Sequence, residues 1–491
     1  MQSGLDIAGV QRPAGTLEAG TALLPYERAL DARLAAHLLR RAGFGGTPDD
    51  IRRLTGMAAG EAVESLVRFP STSALSAPQD VYDPASLLSQ YGFGALRSLT
   101  ADARRQLLMQ VRRDEVRSIL SLQLWWLDRM LATAAPLQEK MAFFLHGHFT
   151  TAAIQKGVSP AMVYAQNQLF RQYALGNLRD LTRAVSKDAA MLLYLDNATN
   201  VASHPNENYA RELMELFTLG VDHYTEDDVR ESARAWTGWR VQRFTGQTFF
   251  AAQLHDNGSK LFLGKSGNFD GDAIVNLIFE QAQCARFFAG KLLSLFVYDD
   301  PEPELLDGVA GLLRRHDYEL APVVSAILRS NVFYSPRAYR ALVKSPVEFV
   351  VGTYKTLGVE QIDRSALPAL RAMGQILFYP PNVAGWPDGE NWLTSQMMIA
   401  RQNFLAGLVN AQVMGASSWL GEIPMDPAQA THALVTTLLQ DDASPASYAQ
   451  LKAYLSGEGT SALAMLGAEN FQERIHGAAY LTMAMPAYQL A

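Results

Sequence analysis

The stretch Thr225-Glu226-Asp227-Asp228-Val229-Arg230-Glu231-Ser232-Ala233-Arg234-Ala235-Trp236-Thr237-Gly238-Trp239-Arg240-Val241-Gln242 holds both kinds of local structure this chain uses. Its first four residues form a capping box, in which a Thr side chain and a carboxylate three residues on satisfy each other's free backbone N–H groups. A helix therefore starts at Glu226 and reaches about Thr237. Past Gly238 the pattern changes, and Trp239-Arg240-Val241-Gln242 and Thr248-Phe249-Phe250 read as short strands around Gly246. Asn257-Gly258 is a tight-turn signal that predicts a further pair of strands, Gln253-Leu254-His255 with Lys260-Leu261-Phe262-Leu263. The expected fold is mainly α: a large multi-helix domain with a small inserted β-hairpin element at about 239–264.

On both sides of that insert the signals are helical. Leu30, Leu34, Leu38 and Leu39 share one helix face that stops at Gly43, and Thr47-Pro48-Asp49-Asp50 opens the next helix with a cap, a Pro at the first position and first-turn acids. A Ser-, Ala- and Pro-rich segment from Pro70 to Pro84 is a loop. Helices resume through Trp125 and Trp126, from Leu137 to about His146, from Pro160 to Tyr173, and from Pro205-Asn206-Glu207 to Gly220. They return in pieces from Ala273 to about Leu357, from Leu393 to Val413, and after Pro427. Residues 1–26 have no periodicity and read as an extended arm. Residues 27–491 read as a single large helical domain, divisible into 27–238, the insert at 239–270, and 271–491.

Composition narrows the function classes. With 491 residues and 48% hydrophobic content the chain can bury a large core, while 19% charged residues, a net charge of −7 and no basic stripe give no track for nucleic-acid phosphates. No run approaches the roughly 18–20 apolar residues of a membrane span. Cys284 is alone, which excludes an internal disulfide, and its apolar neighbours mark it as a buried thiol. The first 25 residues lack a signal-peptide pattern, so the sequence as given reads as cytoplasmic; a start further upstream would make it exported or periplasmic.

Four polar clusters can carry chemistry. In Phe143-Phe144-Leu145-His146-Gly147-His148-Phe149, an H-x-H pair can hold zinc, iron, copper or nickel, but only if the helix ends at Gly147, since positions two apart on a helix point about 200° from each other. The alternative is two structural hydrogen bonds. In Asn206-Glu207-Asn208-Tyr209-Ala210-Arg211-Glu212-Leu213-Met214-Glu215, the residues Asn208, Glu212 and Glu215 line one flank, and Arg211 is placed to pair at i,i+4. Two carboxylates a turn apart suit acid/base or metal chemistry, or else a solvated flank of ion pairs. In His255-Asp256-Asn257-Gly258-Ser259-Lys260, Asp256 and His255 can bind a cation and Lys260 an anion, or the segment is simply a turn. In Tyr379-Pro380-Pro381-Asn382-Val383-Ala384-Gly385-Trp386-Pro387-Asp388-Gly389, Trp386, with Trp392 nearby, can stack on a sugar or plug the core.

These segments are also where the chain resembles a known family. From about Asp31 to the C-terminus it is similar to the bacterial domain-of-unknown-function family numbered 1800. The resemblance is carried by Leu38-Leu39-Arg40-Arg41-Ala42-Gly43-Phe44-Gly45, Phe144-Leu145-His146-Gly147-His148-Phe149, Asn206 to Gly220, Ala235-Trp236-Thr237-Gly238-Trp239, His255-Asp256 with Lys260 and Gly264, Lys344-Ser345-Pro346-Val347-Glu348-Phe349, and Pro380 to Pro387. It implies a bacterial source, relatives that are often exported, and a sulfatase-like partner of the unknown-function family numbered 1501. It implies no reaction and no catalytic residue.

The leading functional expectation from the residues is a metal-assisted hydrolase acting on a polymer or its fragments. His146, His148, Asp256 and His255 would hold a divalent zinc or iron ion, Glu212 and Glu215 would act as base or further ligands, and Arg211 and Lys260 would steady developing negative charge. Asn208 and Trp386 would contact substrate. The alternatives are a non-catalytic assembly or carbohydrate-binding protein, and a metal-free hydrolase using Glu212 and Glu215.

Overall fold

The computed structural model describes residues 19–69, 78, 80–410, 426–457 and 471–491. It is 62% helical with two small antiparallel strand pairs, so the expected mainly α fold with a β insert is what the chain forms. The first part of the expected arm (1–18), most of the expected loop at 70–84, and the last residues of the 393–413 helix lie outside the described residues. Where the arm is described it is not extended, because Ala19–Ala22 is a helical turn, and Pro25 then forms an isolated bridge with Ser330.

The helices begin where short polar side chains can take up their orphan N–H groups. Thr47 and Asp50 cap Pro48–Leu54, Thr225 and Asp228 cap Glu226–Ala235, and Ser345 and Glu348 cap Pro346–Thr356, each pair forming a reciprocal box. The Pro136–His148 helix starts on its proline and runs two residues past the expected end at His146. The longest helix, Ala101–Ala132, buries side chains only from Ser118 onward, so its first half stands in solvent and its second half enters the core. One hydrophobic cluster extends from Ala22 to Tyr488 and includes Trp126, Phe149, Phe170, Phe217 and Phe288.

The insert matches expectation in its first half and differs in its second. Strand β1 (Trp239–Gln242) pairs with β2 (Gln247–Phe250) across Gly246, with Trp239 opposite Phe250. The segment expected as a strand at Gln253-Leu254-His255 is instead a 3₁₀ turn over Ala252–Leu254. Strand β3 (Lys260–Phe262) pairs with β4 (Lys265–Gly267), reversing at Leu263 and Gly264, whose φ angles of 47° and 77° are those of a two-residue hairpin turn. Asn257-Gly258 is no hairpin, because its neighbourhood is already committed. The Asp256 carboxylate accepts two bonds from Arg234 at 2.7 and 3.2 Å, the Asp256 N–H donates to Thr237 Oγ1, and the Lys260 ammonium caps the Asp256 and Gly258 carbonyls.

A buried carboxylate ties the central helices together. Glu139 has no exposure to solvent and accepts hydrogen bonds from Trp126 Nε1 (3.0 Å), Arg129 Nε (3.0 Å), and Arg171 Nε and Nη2 (2.7 and 2.9 Å). It thereby joins three helices: Ala101–Ala132, Pro136–His148 and Pro160–Gln172. Removing one partner of such a group leaves an uncompensated buried charge at a cost of about 3–5 kcal/mol. Glu139→Gln is therefore expected to lower the unfolding free energy measured in urea by an amount in that range, with a lower midpoint, because it strands Arg171. A midpoint equal to that of the parent protein would show that the network does not hold the helices.

Candidate functional site

The Pro136–His148 helix continues through His148, so its two histidines point to opposite sides. His146 sits in a box of Trp126, Phe170, Phe378 and Trp386, with ring centroids 5.3–6.4 Å away. Its Nε2 accepts the backbone N–H of Phe378 at 3.1 Å. Phe378 has a φ of 62°, unfavourable for a residue with a β-carbon, and its carbonyl is held in turn by the Ala153 N–H at 2.9 Å. His146 thus pins the strained start of the loop that carries Trp386. His148 packs among Phe144, Phe149, Phe217 and Phe288, and its Nε2–H donates to the Phe217 carbonyl at 2.9 Å. Burial pushes both imidazoles down to about 3, so each is neutral, and His148 is left with Nδ1 as its acceptor.

The other expected site residues occupy two further places. Arg211 is bound by Glu226 at 2.7 and 2.8 Å and by Glu207 at 3.3 Å, and Glu215 accepts the Tyr224 hydroxyl at 2.6 Å. Glu212 is half-buried and its carboxyl is raised by burial and by the neighbouring Glu215. Asn208 donates to the Leu195 carbonyl at 3.2 Å, closing the turn before its helix. His255 Nδ1 meets the Thr237 carbonyl at 2.9 Å, and with Asp256 and Lys260 it belongs to the turn network of the insert. Among the described residues, no group of three or more His, Cys, Asp or Glu side chains is arranged to hold a metal ion.

What the fold does bring together is a cleft of about 310 Å³. Its apolar side consists of Phe143, Phe144, Trp386 and Trp392, with Phe143 and Trp386 stacked at a centroid distance of 6.4 Å. The Trp386 loop reaches this position through backbone contact. Gly385, at φ 90°, lies so close to the Gly147 carbonyl that a β-carbon there would sit 2.4 Å from that oxygen, and Thr150 Oγ1 donates to the Val383 carbonyl. The polar side has two levels. At the floor are the buried Arg41 and Lys140, the latter paired with the partly buried Glu348, which also accepts the Ser345 N–H at 2.8 Å. At the open mouth stand Lys291, Asp299 and Asp388. Desolvation raises both aspartates from their ordinary value; at Asp299 the Ser294 hydroxyl and Arg41 oppose this while Asp300 adds to it, and at Asp388 Lys291 opposes it while Asp299 and Glu348 add to it.

Of the residues expected from the sequence, Trp386, the nearby Trp392 and His148 line this cleft. Sequence reasoning missed Arg41, Lys140, Lys291, Asp299, Glu348 and Asp388. Arg41, Glu348 and the residues beside Asp388 lie inside segments that carry the family resemblance, which was a usable signal. Lys140 follows Glu139 in the middle of a largely buried helix, a second one. Lys291 and Asp299 had none.

The family described as "Protein of unknown function (DUF1800)" matches residues 37–490 of this chain, nearly its whole length. No curated protein and no solved structure matches it.

The two depressed imidazoles of the Pro136–His148 helix, together with that of the buried His37, set a pH dependence of stability. Unfolded histidine titrates near 6.5 and the folded rings of that helix near 3, so between these values only the unfolded chain takes up protons. Stability is intact above about 6.5 and falls as pH decreases toward 3, each ring contributing about 1.4 kcal/mol per pH unit inside that window. His146→Phe and His148→Phe are each expected to flatten the acid limb by one proton's slope in denaturation series between pH 7 and 5. An unchanged slope would mean that the folded rings titrate normally.

Proposed function

The chain belongs to this family of unknown function, and from that membership we propose that the Phe143–Trp386 cleft is its working site and binds a sugar-like polymer fragment for hydrolysis. One observation carries the reading: five segments of the family resemblance, far apart in sequence, meet on a single cleft that pairs aromatic faces with two carboxylates of raised pKa. Flat half-exposed rings beside convergent polar groups suit a polyhydroxylated ligand, whose C–H faces stack while its hydroxyls find donors and acceptors.

Two acids in one mouth can divide the labour of hydrolysis. Asp388, raised by desolvation and by the charges of Asp299 and Glu348 against the opposing Lys291, is assigned as the acid that passes a proton to the leaving oxygen as the bond to carbon breaks. Asp299, bonded to Ser294 and within the field of Arg41, is the better anion, and takes the proton from the water whose oxygen forms the new bond. A zinc or iron ion assisting this reaction would find one imidazole on the cleft, the acceptor nitrogen of His148. A binding protein without catalysis is the second reading, favoured by the stacked Phe143–Trp386 pair.

The test is an array of neutral, amino and uronic-acid oligosaccharides, followed by product analysis on those retained. Trp386→Ala should lose binding at least about tenfold, with Trp386→Phe as the folded control. Asp299→Asn and Asp388→Asn should still bind but slow hydrolysis by about 100-fold or more. Binding without products supports the non-catalytic reading. Activity lost on chelation and restored by zinc or iron supports metal assistance, and full binding by Trp386→Ala removes the cleft from consideration.

A further inference from the structure

We infer that the occupant of the cleft carries an oxyanionic group, a carboxylate, sulfate or phosphate, and that Arg41 is the residue that receives it. This rests on the cleft being the binding site and specifies what it selects.

Arg41 is 1% exposed on the cleft floor, and its guanidinium makes one hydrogen bond, from Nη2 to the Ala338 carbonyl at 2.8 Å. Its Nε and Nη1 have no partner among the described residues. The indole Nε1 of Trp386, on the facing loop, is also buried without an acceptor. These are the unmet buried side-chain groups of the cleft's lining, and all three are donors. Unmet donors on a buried cation are expensive, so the site is built for a ligand that brings acceptors and negative charge.

The nearby carboxylates Glu348 and Asp299 lend Arg41 negative charge at a distance but accept neither of its free N–H groups. Glu348 gives one oxygen to the Lys140 ammonium and the other to the Ser345 N–H. Asp299 and Asp388 stand out at the mouth, where solvent reaches them. Beside them Lys291 is exposed and has no ion pair among the described residues, which places a second cation on the path to the floor. A guanidinium matches oxyanions in geometry and stays charged, whereas a lysine in its place would offer a point charge.

Calorimetric titration with galacturonic acid trisaccharide, its methyl ester, glucose 6-sulfate, glucose 6-phosphate and glucose tests the assignment and separates the three anion types. At least one charged probe should bind about tenfold or more tighter than its uncharged counterpart, with affinity falling as salt rises. Arg41→Lys should remove most of that preference while leaving the neutral counterpart unchanged. Lys291→Met, a change at an exposed position, should weaken the charged probe alone, which guards against an Arg41 variant that fails to fold. Equal binding of charged and neutral probes overturns the role of Arg41 and leaves the cleft reading standing. A charge preference that survives both substitutions also overturns it, and binding of no probe by the parent protein removes both readings together.

Discussion

A carboxylate shut away from water is tolerable only when donors surround it, and Glu139 is placed so that its donors come from the two helices flanking its own. That requirement fixes the position of the Pro136–His148 helix against Ala101–Ala132 and Pro160–Gln172. The next residue, Lys140, turns toward the cleft and pairs with Glu348, which at the same time caps the Pro346–Thr356 helix. Two adjacent charges on one helix thus join the rigid core to the site. The aromatic residues one turn further along, Phe143 and Phe144, inherit their place on the cleft wall from this arrangement.

The two histidines of this helix have complementary structural duties. His146 holds Phe378 in a backbone conformation it would not adopt alone, and so aims the loop that ends in Trp386. His148 fastens the helix end to the turn after Asn208–Glu215 through the Phe217 carbonyl, while facing the cleft. Both stay neutral because burial and the aromatic box around each make a protonated ring costly. In the polar segments at 206–220 and 255–260, Arg211 is held by two glutamates and Asp256 by Arg234. Their charge is spent on shaping loops, whereas the cleft keeps donors without acceptors.

The helical class, the capping boxes at Thr47, Thr225 and Ser345, and strands β1 and β2 were legible in the sequence, as was the family membership. Each rests on residues within a few positions of one another: a cap needs a side chain and an N–H three residues on, and a short hairpin needs its own turn. The second strand pair was misplaced because its turn signal, Asn257-Gly258, is locally sound but is overruled by Arg234 and Thr237, some twenty residues away.

The site itself was decided by tertiary structure. Arg41, Glu348 and Trp386 are brought to one cleft by backbone contacts and ion pairs that span hundreds of positions, such as Lys140 with Glu348 and Phe378 with His146. Whether a charged residue becomes a brace or a free donor depends on which partners the fold delivers to it, and no local spacing records that. From its sequence alone this protein is a helical chain of a particular family with a β insert. Only its packing determines which of its polar side chains are left facing a cavity, because that is settled by distance in space and not by distance along the chain.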